Sequence, residues 1–124
     1  MHETSDAFVA FLAYEFRIVN DPSATADLIR IADMAPQAAA RAAALLALSE
    51  QIHAMDSVPT LAAHLNDPDD NVRYHALNGL RVLTREPSCT LLSAPGWERI
   101  LEQQTQQCRM WWESIGRLQF SKGQ

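Results

Sequence analysis

Between Leu61 and Leu83 the sequence reads LAAHLNDPDDNVRYHALNGLRVL, and no other stretch limits the fold as much. A short apolar helix stops at Asn66-Asp67-Pro68, the chain turns through Asp69-Asp70-Asn71, and a longer helix restarts at Val72-Arg73. Leu61 and Leu65 share one helical face, while Val72, Ala76, Leu80 and Leu83, at spacings of four, four and three, mark a second. Two amphipathic helices this short cannot bury both apolar faces by themselves. The hairpin therefore needs neighbours of its own kind stacked on either side.

One such neighbour is visible upstream. Arg41, Ala44 and Leu48 stand 32 residues before Arg73, Ala76 and Leu80, so the repeat is internal. The earlier copy is degenerate: Ala40 stands where Val72 stands, and Asp33-Met34-Ala35-Pro36 is a displaced form of Asp67-Pro68. The pattern of an apolar helix, an Asp-Pro turn and a Val-Arg restart, carried by Leu65, Asp67, Pro68, Val72, Arg73, Ala76, Leu80 and Leu83, resembles one unit of the HEAT-repeat family of helical-hairpin solenoids. The resemblance implies an all-α, right-handed stack of antiparallel helix pairs, about seven helices in one domain spanning residues 1–124. It also implies a hydrogen-bonded ladder between units, built from the turn aspartate and the second-helix arginine, at the positions of Asp67, Arg73 and, one unit earlier, Arg41. Protein binding without catalysis is what family membership implies.

From the N-terminus, Thr4, Ser5 and Asp6 offer caps for a helix from about Ala7 to Val19, closed by Asn20-Asp21-Pro22. Its apolar residues, Phe8, Phe11, Leu12, Tyr14, Phe16, Ile18 and Val19, cover well over half the circumference, so it is either sandwiched or leaves an apolar strip for a partner. Glu15 falls within that arc and needs a cation such as Arg30 or Arg41. The next hairpin pairs a helix over Asp27 to Met34, capped by Ser23 or Thr25, with an alanine-rich helix from Gln37 to about His53. Glu86 to Gly96 carries Pro87, Pro95 and Gly96 and reads as a loop. A last helix runs from Trp97 to about Ile115 with Gly116 as its C-cap and a stripe of Trp97, Leu101, Gln104, Cys108, Trp111 and Ile115. Trp111 and Trp112 cannot both point inward, so at least one is partly exposed.

Composition removes several function classes. A formal charge of −5 with a single lysine, Lys122, does not suit a nucleic-acid groove, which draws on clustered Lys and Arg. No apolar run approaches the roughly 18 residues that span a bilayer, and the N-terminus lacks a secretory signal, so a cytoplasmic location is expected. Cys89 and Cys108 are too few for a disulfide framework and lack metal-type spacing; free thiols are the default. His53, His64 and His75 lie eleven apart, which matches no ligand pattern. The His-Glu pairs of HEAT-repeat di-iron hydroxylases are missing from the hairpins, and the likeness to HEAT-like phycobilin lyases stops at the generic repeat pattern. No metal, cofactor or catalytic residue is therefore assigned.

A binding surface has better support. On the helix from Asn71 to Arg85, Tyr74, Asn78, Arg81 and Arg85 fall opposite the apolar stripe, and aromatic-plus-arginine composition suits interface hot spots. One unit earlier the same positions are Ala42, Leu46, Ser49 and His53; His53 and the exposed member of the Trp pair, Trp112, complete the candidate set. The expected function is a rigid protein-binding module acting through its second helices. An immunity- or antitoxin-like inhibitor of a basic protein is one alternative, and a tetrapyrrole- or small-molecule-handling enzyme is another. Self-association through an apolar terminal helix is a further option.

Overall fold

The computed structural model describes residues 22–51, 54–90 and 96–120. The helix expected over residues 7–19, with Glu15, lies outside them, as does His53. Five helices, not about seven, stand among the described residues. They are α1 (Pro22–Met34), α2 (Ala38–Ser49), α3 (Val58–Ala63), α4 (Asp70–Thr84) and α5 (Trp97–Trp111). The last continues through a π turn, Trp112–Gly116, into a final turn, Arg117–Phe120.

Helix α1 begins at Pro22 rather than Asp27, because proline is tolerated in a first turn, where its missing N–H has no partner to lose. Leu28 and Ala32 are fully buried and Ile31 packs beside them. In α2, Ala40, Ala42, Ala44 and Ala47 are buried along with Leu45 and Leu48, and such small residues let neighbouring helices approach closely. Helix α2 packs against α1 on one side and α4 on the other, so stacking runs through the second helices of the two hairpins. Gly79 of α4 makes this approach possible: a Cβ there would lie 2.9 Å from Leu61 Cδ2 and 3.4 Å from Ser49 Cβ.

Helix α4 is capped at its start by Asp69, whose carboxylate accepts from the Asn71 and Val72 N–H groups at 2.9 and 3.1 Å. Its buried residues are Val72, Ala76, Leu77, Gly79 and Leu80. Leu83, expected inside, is half-buried and packs against the core, while Leu77, outside the expected stripe, is fully buried. After α4 a single 3₁₀ turn, Pro87–Cys89, occupies part of the expected loop. The free-thiol expectation is overturned: Cys89 and Cys108 form a buried disulfide that ties this turn to α5. Helical stacking brings the two sulfurs together across 19 residues, a proximity that spacing in the sequence does not encode.

The C-terminal rod departs from the expected pattern at three points: Thr105 rather than Gln104 is buried, Ile115 is exposed, and Gly116 does not end the helix. Its buried stripe is Leu101, Thr105, Cys108 and Trp111, with Ile115 left 51% exposed. The π turn supplies the reason, since one extra residue per turn rotates the following side chains out of an ordinary helical phase. Gly116 does not cap the helix; it is buried in the π turn, where the Trp111 indole lies 2.7 Å from the position a Cβ would take. Trp111 is buried and Trp112 half-buried, with ring centroids 6.1 Å apart, and Phe120 packs on Trp111 at 6.3 Å.

Candidate partner-binding face

The turn between α3 and α4 is organised by the Asp67 carboxylate. Arg41 of the preceding hairpin donates to it from Nε at 2.9 Å and Nη2 at 3.0 Å, while the Asp69 N–H donates at 3.0 Å. A third Arg41 nitrogen, Nη1, reaches the carbonyls of Ala35 and Pro36 at 3.1 and 2.9 Å, so one guanidinium joins two successive turns. Burial by itself would push the Asp67 carboxyl up, but the Arg41 hydrogen bonds, with those from Asp69 and His64, outweigh it and hold the group below the usual aspartate value. Hydrogen bonding to Asp67 correspondingly raises Arg41 against its own desolvation.

Arg73 does not reach that carboxylate. Its Nη1 donates to the Asp67 carbonyl at 2.8 Å and its Nη2 pairs with the Asp70 carboxylate, so it fastens the turn of its own unit. Two further residues join the network that sequence reasoning left out. His64 stands between Asp67 and Asp33, with Nδ1 3.2 Å from the first and Nε2 3.0 Å from the second. Arg109 of α5 donates to the Leu65 carbonyl at 3.0 Å and to Asn66 Oδ1 at 3.2 Å. His64 reaches Asp33 across 31 residues and Arg109 reaches Leu65 across 44, contacts that no local pattern marks.

With its start fixed in this way, α4 presents the four candidate residues unequally. Tyr74 is half-buried and packs against the core, contrary to the expectation that it points away from the apolar stripe. Asn78 is half-buried and accepts from Arg81 Nη2 at 3.2 Å. Arg81 and Arg85 are exposed, as is Val82 at 44%. Together with Pro87 and Thr90, these three line an open cleft of about 510 Å³. The equivalent positions one unit earlier do not extend the surface: Ala42 and Ser49 are buried and Leu46 is half-buried. Trp112 also packs against the core.

Charge separates Arg81 and Arg85 from the other arginines. Arg30, Arg41, Arg73, Arg109 and Arg117 each pair with a carboxylate, to Asp27, Asp67, Asp70, Glu102 and Glu113. Among the described residues Arg81, Arg85 and Arg99 make no ion pair, although the chain carries 15 acidic residues. Arg85 is also the one described non-glycine residue with positive φ, at 61°, and its N–H donates to the Arg81 carbonyl at 2.8 Å. This is the position at a helix end where glycine is strongly favoured.

Elsewhere, the N-terminal parts of α2 and α4 flank a cleft of about 580 Å³ lined by alanines, Asp69, Asn71 and His75. Burial pushes His75 down, and its Nδ1 has no hydrogen-bond partner, both of which favour the neutral ring. No group of three or more His, Cys, Asp or Glu able to hold a metal occurs among the described residues.

The family model for HEAT repeats matches residues 12–94, about two thirds of the chain. The chain belongs to the HEAT-repeat family. HEAT repeats generally mediate protein–protein interactions, and the family is typically a non-enzymatic scaffold. In this HEAT-repeat protein the match includes both hairpins and the Asp67 turn but stops before α5, which closes the stack with a different helix. No curated protein and no solved structure matches the chain. No helix among the described residues is long and apolar enough to cross a membrane.

Proposed function

We propose that this HEAT-repeat protein is a non-enzymatic interaction module, a single short right-handed solenoid whose protein partner docks on the C-terminal half of α4. The observation that carries this reading is the pair of exposed guanidiniums of Arg81 and Arg85, free of ion pairs, beside Val82 and Pro87. An arginine held in the left-handed region at Arg85 costs about 1 kcal/mol more than glycine would, and such strain is typical of functional positions. Preorganisation is the mechanism: the helix is already fixed through Asp67, Arg41 and Gly79, so docking orders little beyond two side chains. Tyr74 and Asn78 support this face from below, and His53 and Trp112 are not needed for it.

The alternative of inhibiting a basic partner draws on the net charge of −5, but the free charges on this face are positive. The buried disulfide supports an oxidising compartment in place of the cytoplasm, because such bonds persist where thiols are not kept reduced. To test the docking face, a photo-crosslinking residue placed at Val82 in the native host should capture a discrete protein. Capture should be lost in Arg81→Gln/Arg85→Gln and retained in Arg30→Gln. Capture that survives the double variant removes this half of α4 from the function.

A further inference from the structure

The spacing and chemistry of the α4 cleft define its ligand more narrowly. Arg81 and Arg85 are one helical turn apart, a rise of about 6 Å along the axis. Carboxylates on alternate residues of an extended chain are separated by about 6.7 Å, so a Glu-x-Glu segment laid along α4 brings one carboxylate to each guanidinium. Arg81 is steered by a neutral amide, Asn78, which orients the guanidinium without cancelling its charge. The planar fork of arginine matches a carboxylate with two parallel hydrogen bonds. Exposed ion pairs are individually weak, so the adjoining apolar surface matters. Val82 is 44% exposed and Pro87 is exposed at the rim of the same cleft.

Resting on the α4 reading above, we propose that the cleft bounded by Arg81, Val82, Arg85, Pro87 and Thr90 binds an extended acidic segment of a partner protein, two carboxylates on alternate residues followed by an aliphatic side chain. A nucleic acid fits this surface poorly. It would need a longer track of cations, whereas the third unpaired arginine, Arg99, lies folded beside Gly96 at the start of α5 and the chain as a whole is acidic.

Fluorescence anisotropy on the full chain, with its disulfide intact, tests the proposal. The probe is a fluorescein-labelled peptide containing Glu-Ser-Glu-Leu, compared with the same peptide carrying Gln-Ser-Gln-Leu and with labelled oligothymidylate. The acidic peptide should bind at least about tenfold more tightly than the glutamine peptide, and more weakly as salt rises. Arg81→Gln/Arg85→Gln should abolish that preference with an unchanged melting temperature, since both side chains are exposed and neither makes an ion pair, while Arg30→Gln should preserve it. Equal binding of the two peptides, tighter binding of oligothymidylate, or a preference that survives the double variant overturns the proposal. If the peptides bind alike but crosslinking at Val82 still depends on Arg81 and Arg85, the acidic ligand is wrong and the docking face stands. If the crosslink itself persists in the double variant, the docking face has failed.

Discussion

Removing the Asp67 carboxylate tests whether the stack is held by its turn network or by apolar packing alone. Asp67→Ala deletes a side chain that is 5% exposed and accepts from Arg41 twice and from the Asp69 N–H, leaving Arg41, 15% exposed, without its charge partner. Breaking a buried pair from one side costs about 3–5 kcal/mol, and Arg41 keeps its two carbonyl acceptors, so the lower end, about 3 kcal/mol, applies. For a domain of this size that corresponds to a melting temperature lower by on the order of 10 °C. Arg41→Ala should cost a similar amount. If the two act through each other, a double-mutant cycle followed by urea unfolding should give a coupling of about 2 kcal/mol. The acid limb adds a sign. The folded-state carboxyl is depressed, so its contribution is present above the ordinary aspartate value and lost as pH falls through the lower folded value. The gap between wild type and Asp67→Ala should therefore narrow on acidification. Costs that add independently, with coupling under about 0.5 kcal/mol, or a gap that stays constant into strong acid, would refute the network as the link between hairpins.

Three further outcomes follow from named contacts. Cys89→Ser/Cys108→Ser should lower stability by about 3 kcal/mol, the chain-entropy value for a closure of 19 residues, read as a urea midpoint shift that vanishes when both proteins are compared under full reduction. Gly116→Ala should destabilise by roughly 1–3 kcal/mol, because the added methyl meets the Trp111 ring and the rigid indole must move; near-UV circular dichroism of the tryptophans should change with it, and an unaltered spectrum and melt would exclude this packing. Arg85→Gly should raise the melting point, by roughly 0.5–1 kcal/mol in stability, while weakening partner capture; a lower melting point would contradict the left-handed cap.

The sequence was legible where a local pattern carried the physics. Asp67, Pro68, Val72, Ala76 and Leu80 belong to one hairpin, and their spacing alone reveals the turn, the restart and the buried stripe. Legibility failed where a contact joins distant segments or the backbone leaves its ordinary period. Arg109 reaching Leu65, His64 reaching Asp33, and the Cys89–Cys108 bond each depend on how elements stack. Ile115 leaves the expected stripe because a period of 3.6 residues does not carry through a π turn. Tyr74 departs from its expected face for a different reason. An aromatic ring at the edge of an apolar stripe can reach the core by its length, so helical angle alone does not decide which way it faces.

Helix α4 is tied down at its start and open at its end, so its two halves behave differently. At its start, Asp69 caps the first N–H groups and Arg73 holds the Asp67 carbonyl, and Val72 is buried while Arg73, Tyr74 and His75 are half-buried. At Gly79 the helix leaves no room for a side chain against Leu61 and Ser49. Beyond that point the polar face carries Arg81 and Arg85 free of ion pairs, with Val82 exposed beside them, until the left-handed residue ends the helix. A helix clamped at one end and displayed at the other can divide folding from recognition. Alanine substitutions should therefore cost stability at Arg73 and Tyr74 and leave it within about 0.5 kcal/mol at Arg81. Loss of partner capture should run in the opposite order, greatest at Arg81 and Arg85, and a single order for both measurements would show that α4 has no such division.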